Sequence, residues 1–91
     1  MNPSELLRKS AQHIEDRAEQ RDCPGGERSM LKTVVAFNAL EGTNLTEEQG
    51  WRFMVVLKYA RATAGKFVID DYEDMAAYAA LAAETGSRYG L

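Results

Sequence analysis

Three helix-start signatures divide this chain and leave little room for a sheet. Thr46 with Gln49 forms a capping box, in which each side chain satisfies a free backbone N–H of the first turn. Asn2 with Glu5 repeats the pattern, and Pro3 suits the first helical position. Asp70 with Glu73 has the same spacing. Apolar residues at helical intervals follow each signature, and Gly42, Gly65 and Gly86 stand where helices are expected to stop. The expected fold is all-α, a compact bundle of about four helices forming one domain over residues 1–91.

The first helix, to about Gln20, carries Leu6, Leu7, Ala11, Ile14 and Ala18 on a thin stripe. It is expected on the outside of the bundle, within an outer N-terminal element of residues 1–22. Asp22, Cys23, Pro24, Gly25 and Gly26 form a loop, because Pro and the paired glycines break a helix. The second helix starts near Glu27 or Arg28 and ends near Leu40. Its wide apolar face comprises Met30, Leu31, Val34, Val35, Phe37 and Leu40. In the third, residues 53–57 are apolar on every side, which marks the central helix. A strand over that run is the weaker reading, given the length of the segment and its cap. The fourth helix runs to about Thr85, with Tyr72, Met75, Tyr78, Ala79, Leu81 and Ala82 inward. Six alanines between 76 and 83 keep it narrow enough for another helix to approach closely. Core helices over residues 27–85, a tail over 86–91, and a homo-oligomer, most simply a dimer, through helix three or helix four are expected.

Bulk composition bounds the function. Ninety-one residues hold one core of modest margin. The net charge of −3 argues against nucleic-acid binding, which needs a basic face to neutralise phosphates. No apolar run approaches the ~20 residues of a membrane span. The first ten residues lack the apolar centre of a signal peptide, so a cytoplasmic protein is expected. With one Cys (Cys23) and one His (His13), a Cys- or His-rich zinc site within one chain is excluded. A carboxylate site for magnesium stays open.

The residues richest in chemistry flank the last interhelical loop. Lys58 and Arg61 share a face at the end of helix three, and Asp70, Asp71, Glu73 and Asp74 crowd the start of helix four. If the two helices are antiparallel, the groups meet. Asp71 and Asp74, three apart, could hold a divalent cation against phosphate oxygens. Their plainer role is to favour the positive end of the helix dipole. Arg61 could grip a phosphate bidentately and Lys58 as a point charge, against the plainer role of C-terminal dipole partners. Arg28, behind the glycine pair, is a candidate anion contact at a helix start. Trp51, Tyr59, Tyr72 and Tyr78 could stack on a base, with Tyr78 the one taken as a candidate ligand contact, although aromatics at helical spacing are more often core. No arrangement for nucleophilic catalysis is present beyond the lone Cys23 and His13.

Several segments resemble small bacteriophage and prophage proteins of unassigned function: ERSM at 27–30, FNAL at 37–40, LTEEQGWRFM at 45–54, LKYAR at 57–61 and DDYEDMAAYAALAAE at 70–84. More distantly, the D-x-x-D of Asp71 and Asp74 is similar to the later acidic element of the all-α pyrophosphohydrolases of the MazG kind, and to phage nucleotide-modification domains. That resemblance implies a helical bundle, usually dimerised, holding a nucleotide through magnesium. The earlier E-x-x-E element of those enzymes has no counterpart: Glu15 and Glu19 are four apart, and Glu47 and Glu48 are adjacent. The expected function is therefore a phage-derived binding protein that holds a nucleotide-type ligand, or engages a host or defence protein, without catalysis. A magnesium-dependent pyrophosphohydrolase and a purely protein-binding inhibitor are the alternatives.

Overall fold

The computed structural model describes residues 1–20 and 29–88. It contains α1 (Pro3–Gln20), α2 (Ser29–Glu41), α3 (Glu47–Ala62) and α4 (Ile69–Arg88), with no strand among the described residues. The chain is thus the all-α, four-helix bundle expected. The loop at 22–26, the start of helix two near Arg28, the side chain of Ala18 and the tail from Tyr89 lie outside the described residues. No described helix is long and apolar enough to cross a membrane.

Two of the three start signatures close as read. Gln49 N–H donates to Thr46 Oγ1 at 3.1 Å, and Thr46 N–H donates to Gln49 Oε1 at 2.9 Å. Glu5 N–H donates to Asn2 Oδ1 at 2.9 Å, while the Asn2 amide donates back to Glu5 Oε1 at 2.8 Å. The third does not form. α4 begins one residue earlier, at Ile69, so Asp70 already lies inside its first turn. Glu73 is then carried into the interior.

The helices pack in the spatial order α1, α4, α3, α2. α3 is central as expected, with α4 on one side and α2 on the other. α3 and α4 are antiparallel: Lys58 meets Asp74 at one end, and Glu48 approaches Gly86 at the other. Trp51, Leu81, Ala82, Met30 and Val34 form the core, with Met54 and Tyr78 packed against it. Gly86 was expected to end α4, but the helix continues through it to Arg88. A Cβ there would lie 3.3 Å from the Glu48 carboxyl, so the glycine serves close packing. Gly42, at φ +70°, does follow the end of α2, in the left-handed conformation that glycine adopts without strain.

Asn38 organises the α2–α3 turn. Its Nδ2 donates to the Leu45 carbonyl at 2.9 Å, and its Oδ1 accepts from Leu45 N–H at 2.9 Å and Thr43 Oγ1 at 2.7 Å. This staple returns the chain so that Gly50 lies under Met30 and Val34.

The apolar face of α2 is only one-third used. Met30 and Val34 are buried, whereas Leu31, Val35, Phe37 and Leu40 are exposed. On α3, Trp51 is buried but Phe53 and Val56 are not, so the run at 53–57 is not enclosed on every side. Tyr72, expected inward, is exposed and stacks on Phe67 with centroids 5.7 Å apart, and Ala79 is exposed as well.

The two buried helical glycines make opposite predictions. A Cβ on Gly50 would collide with Met30 Sδ and lie 2.9 Å from Val34 Cγ1. Overpacking of that kind costs about 1–3 kcal/mol, against the roughly 1 kcal/mol that alanine gains over glycine inside a helix. Gly50→Ala should lower the urea midpoint. Gly86→Ala, whose neighbour is the movable end of the partly exposed Glu48, should leave it unchanged or raise it. A raised midpoint for Gly50→Ala would mean that α2 does not seat on α3 there.

Candidate functional site

The site grows from the order of the helices. With α4 and α3 in the middle, α1 and α2 stand on the two flanks, and a cleft opens between them. It has a volume of about 400 Å³ and takes a wall from every helix: Arg17 from α1, Ser29, Met30 and Thr33 from α2, Trp51 and Met54 from α3, and Tyr78 from α4. Trp51 and Tyr78 are stacked, with centroids 5.7 Å apart and planes inclined at 21°. The Arg17 guanidinium carbon lies 5.7 Å from the Tyr78 ring centroid, within cation–π range.

Beside the cleft, one carboxylate is held by two cations. Lys58 Nζ is 3.0 Å from Asp74 Oδ2, and Arg17 NH2 is 3.3 Å from Asp74 Oδ1. The side chains of Lys58 and Asp74 are only 14% and 17% exposed, so their attraction is less screened than that of a surface pair. Lys58 reaches Asp74 because both sit next to the α3–α4 loop on the facing sides of antiparallel helices. Arg17 reaches it because α1 docks on α4.

A second contact fixes that docking. Ser10, buried on α1, donates its hydroxyl to the Glu73 carbonyl oxygen at 2.8 Å. The Glu73 carboxylate, 3% exposed, places Oε1 3.6 Å from His13 Nε2. Its Oε2 is buried with no hydrogen-bond donor among the described residues, and the same holds for Glu47 Oε2 at the start of α3. α1 is thus attached largely through polar groups, Ser10, His13 and Arg17, with Leu6 and Ile14 half-buried among them.

The candidate residues therefore separate. Lys58 and Asp74 are joined, with Tyr78 close by on the wall of the cleft. Arg61 is exposed and makes no ion pair with the described residues, so it does not join the acidic group at 70–74. Asp71 is half-buried, and its N–H donates to the Val68 carbonyl at 3.1 Å, as suits the first turn of α4. Arg28 lies outside the described residues. Of the candidate magnesium pair, Asp74 has both oxygens facing cations of the chain, Lys58 and Arg17. No group of three or more His, Cys, Asp or Glu able to hold a metal occurs among the described residues.

Arg17 and Ser10 carry no mark in the sequence. Arg17 is a charged residue near the end of a thinly amphipathic helix, where a dipole partner is expected. Its partner is 57 positions away. The one available signal is that Ser10 and Arg17 are seven apart and so share a face of α1.

Residues 5–86 match the family described as a domain of unknown function, DUF6378, and the chain belongs to that family. No curated protein and no solved structure matches it.

The double hold on Asp74 predicts an order among variants. Lys58→Ala and Asp74→Ala each leave a largely buried charge short of a partner and should cost about 1–3 kcal/mol in denaturant melts. Arg61→Ala should change stability by less than about 0.5 kcal/mol, as exposed substitutions do. Equal losses at Lys58 and Arg61 would contradict the geometry.

Proposed function

We propose that the protein is a small helical binding protein that holds a nucleotide-type ligand in the four-helix cleft without turning it over. The observation that carries this reading is the placement of Arg17 at a cleft floored by the stacked Trp51 and Tyr78. A phosphate suits a guanidinium, and with Trp51 buried behind it Tyr78 is the aromatic wall that a planar base meets once Arg17 turns to the ligand. A volume of about 400 Å³ falls within the range of small-ligand pockets. Ser29 and Thr33 line its α2 side, where the Thr33 hydroxyl donates to the Ser29 carbonyl at 2.8 Å.

Asp74 makes Arg17 available. When Arg17 turns toward a ligand, Asp74 keeps Lys58 at 3.0 Å and is not stranded. The cost of recruiting Arg17 is thus smaller than that of breaking an isolated buried pair. Phage derivation and a cytoplasmic location are proposed with this reading and rest on the resemblance of the segments quoted above. Capture of a host or defence protein at the same residues is the competing use of the site.

Thermal shift with nucleoside mono-, di- and triphosphates and cyclic dinucleotides, with and without magnesium, tests it. A ligand at a hundred times its Kd stabilises by about 2.7 kcal/mol. For a chain this small each kcal/mol moves Tm by about 4–8 °C, so a rise of many degrees is expected. Arg17→Ala should abolish the rise and Lys9→Ala, on the exposed side of α1, should not. No shift with any compound would overturn nucleotide binding, and release of pyrophosphate or phosphate would overturn binding without turnover.

A further inference from the structure

α2 is attached along one side only, through Met30 and Val34 over Gly50. Next to that seat runs a groove of about 220 Å³ between α2 and α3, to whose lining Phe37, Leu45 and Phe53 contribute. Leu40 lies one turn beyond Phe37, and Val56 one turn beyond Phe53. The strip is open: Leu40 is 84% exposed, Phe53 68%, Val56 63%, Phe37 43% and Leu45 40%. We propose that this strip, Phe37, Leu40 and Leu45 with Phe53 and Val56, is the face on which a second copy of the chain docks, forming a two-fold symmetric dimer.

The area matches. With roughly 150–210 Å² for a fully exposed aliphatic or aromatic side chain, the five expose about 550 Å². A standard interface buries about 800 Å² per partner, of which about 56–65% is apolar, or roughly 450–520 Å². The strip alone supplies the apolar part of one such interface. It also sits at the upper end of what a monomer leaves open, about 300–600 Å².

Charge does not oppose a copy of the same chain. A two-fold interface sets a surface against itself, so any charge near its axis meets its like. Thr33 and Ala36 on α2 and Gln49 and Ala60 on α3 border the strip without charge, and the charged residues that border it, Glu41 beside Phe37 and Leu40 and Arg52 beside Val56, are one of each sign. Need for burial points to such a copy. The buried hydrophobic residues among those described are Met30, Val34, Trp51, Ala77, Leu81 and Ala82, and two of the six are alanines. So small a core is marginal at this length. A second copy is present wherever the first is made. The proposed dimer face therefore lies on α2 and α3.

Sedimentation or light scattering of the full chain at tens of micromolar tests the proposal. The expected mass is twice the 10.1 kDa of one chain. Leu40→Glu with Phe53→Glu should give a monomer of unchanged helical circular dichroism, since both side chains are exposed in the single chain. Phe53→Ala, which introduces no charge, should weaken association by about tenfold or more. Leu31→Glu, on the opposite side of α2, should leave the dimer intact. A single-chain mass for the wild type overturns the proposal, as does a dimer that survives both Phe53→Ala and the double glutamate variant.

Discussion

The close antiparallel contact of α3 with α4 is what the other elements attach to. It is helped by small α4 residues at the contact: Ala82, packed with Trp51, and Gly86, opposite Glu48. Small side chains let the helix axes approach, and at Gly86 the approach leaves no room for a Cβ without displacing Glu48. Trp51 fills the middle of the contact against Leu81 and Ala82 and stacks on Tyr78. With that pair in place, α1 can attach only to the free side of α4, and α2 only to the free side of α3. The cleft is the space left between the two flanking helices.

The two flanks are attached by different physics. α2 uses apolar contact, with Met30 and Val34 lying over a glycine. α1 relies on hydrogen bonds and charge, through Ser10, His13 and Arg17. Apolar attachment depends on area, and α2 uses little of what it has. Polar attachment depends on complete pairing, because an unmatched buried group costs more than a formed bond contributes. The α1 side therefore carries the residues that a bound anion or a change of charge would perturb, and the α2 side carries those that association would cover.

Helix number and the caps at Asn2 and Thr46 were legible in the sequence because capping is decided by residues three apart. The same spacing at Asp70 and Glu73 misled, since a helix that starts one residue earlier turns a cap pattern into an interior glutamate. Gly86 could not be told from a helix stop without knowing that Glu48 lies opposite. α2 is apolar around most of its circumference, so the pattern does not say which side is buried. The meeting of Lys58 with the acidic group at 70–74 was legible from antiparallel packing across a short loop, but the choice of Lys58 over Arg61 depends on helix rotation. Arg17 belongs to the site only through the docking of α1, and no local pattern encodes a contact 57 residues away.

That long connection has a consequence for how the chain is made. Ser10 and its acceptor on Glu73 are 63 residues apart. At about 5–20 residues per second, the ribosome delivers the second on the order of 3–13 s after the first. α1 is therefore made well before α4, the helix that seats it. During that interval α2 and α3 can already pair across their short turn, while α1, with few apolar residues, has little with which to bind wrongly. Its polar manner of docking suits a helix that must wait, and the cleft gains its fourth wall only once α4 has been made.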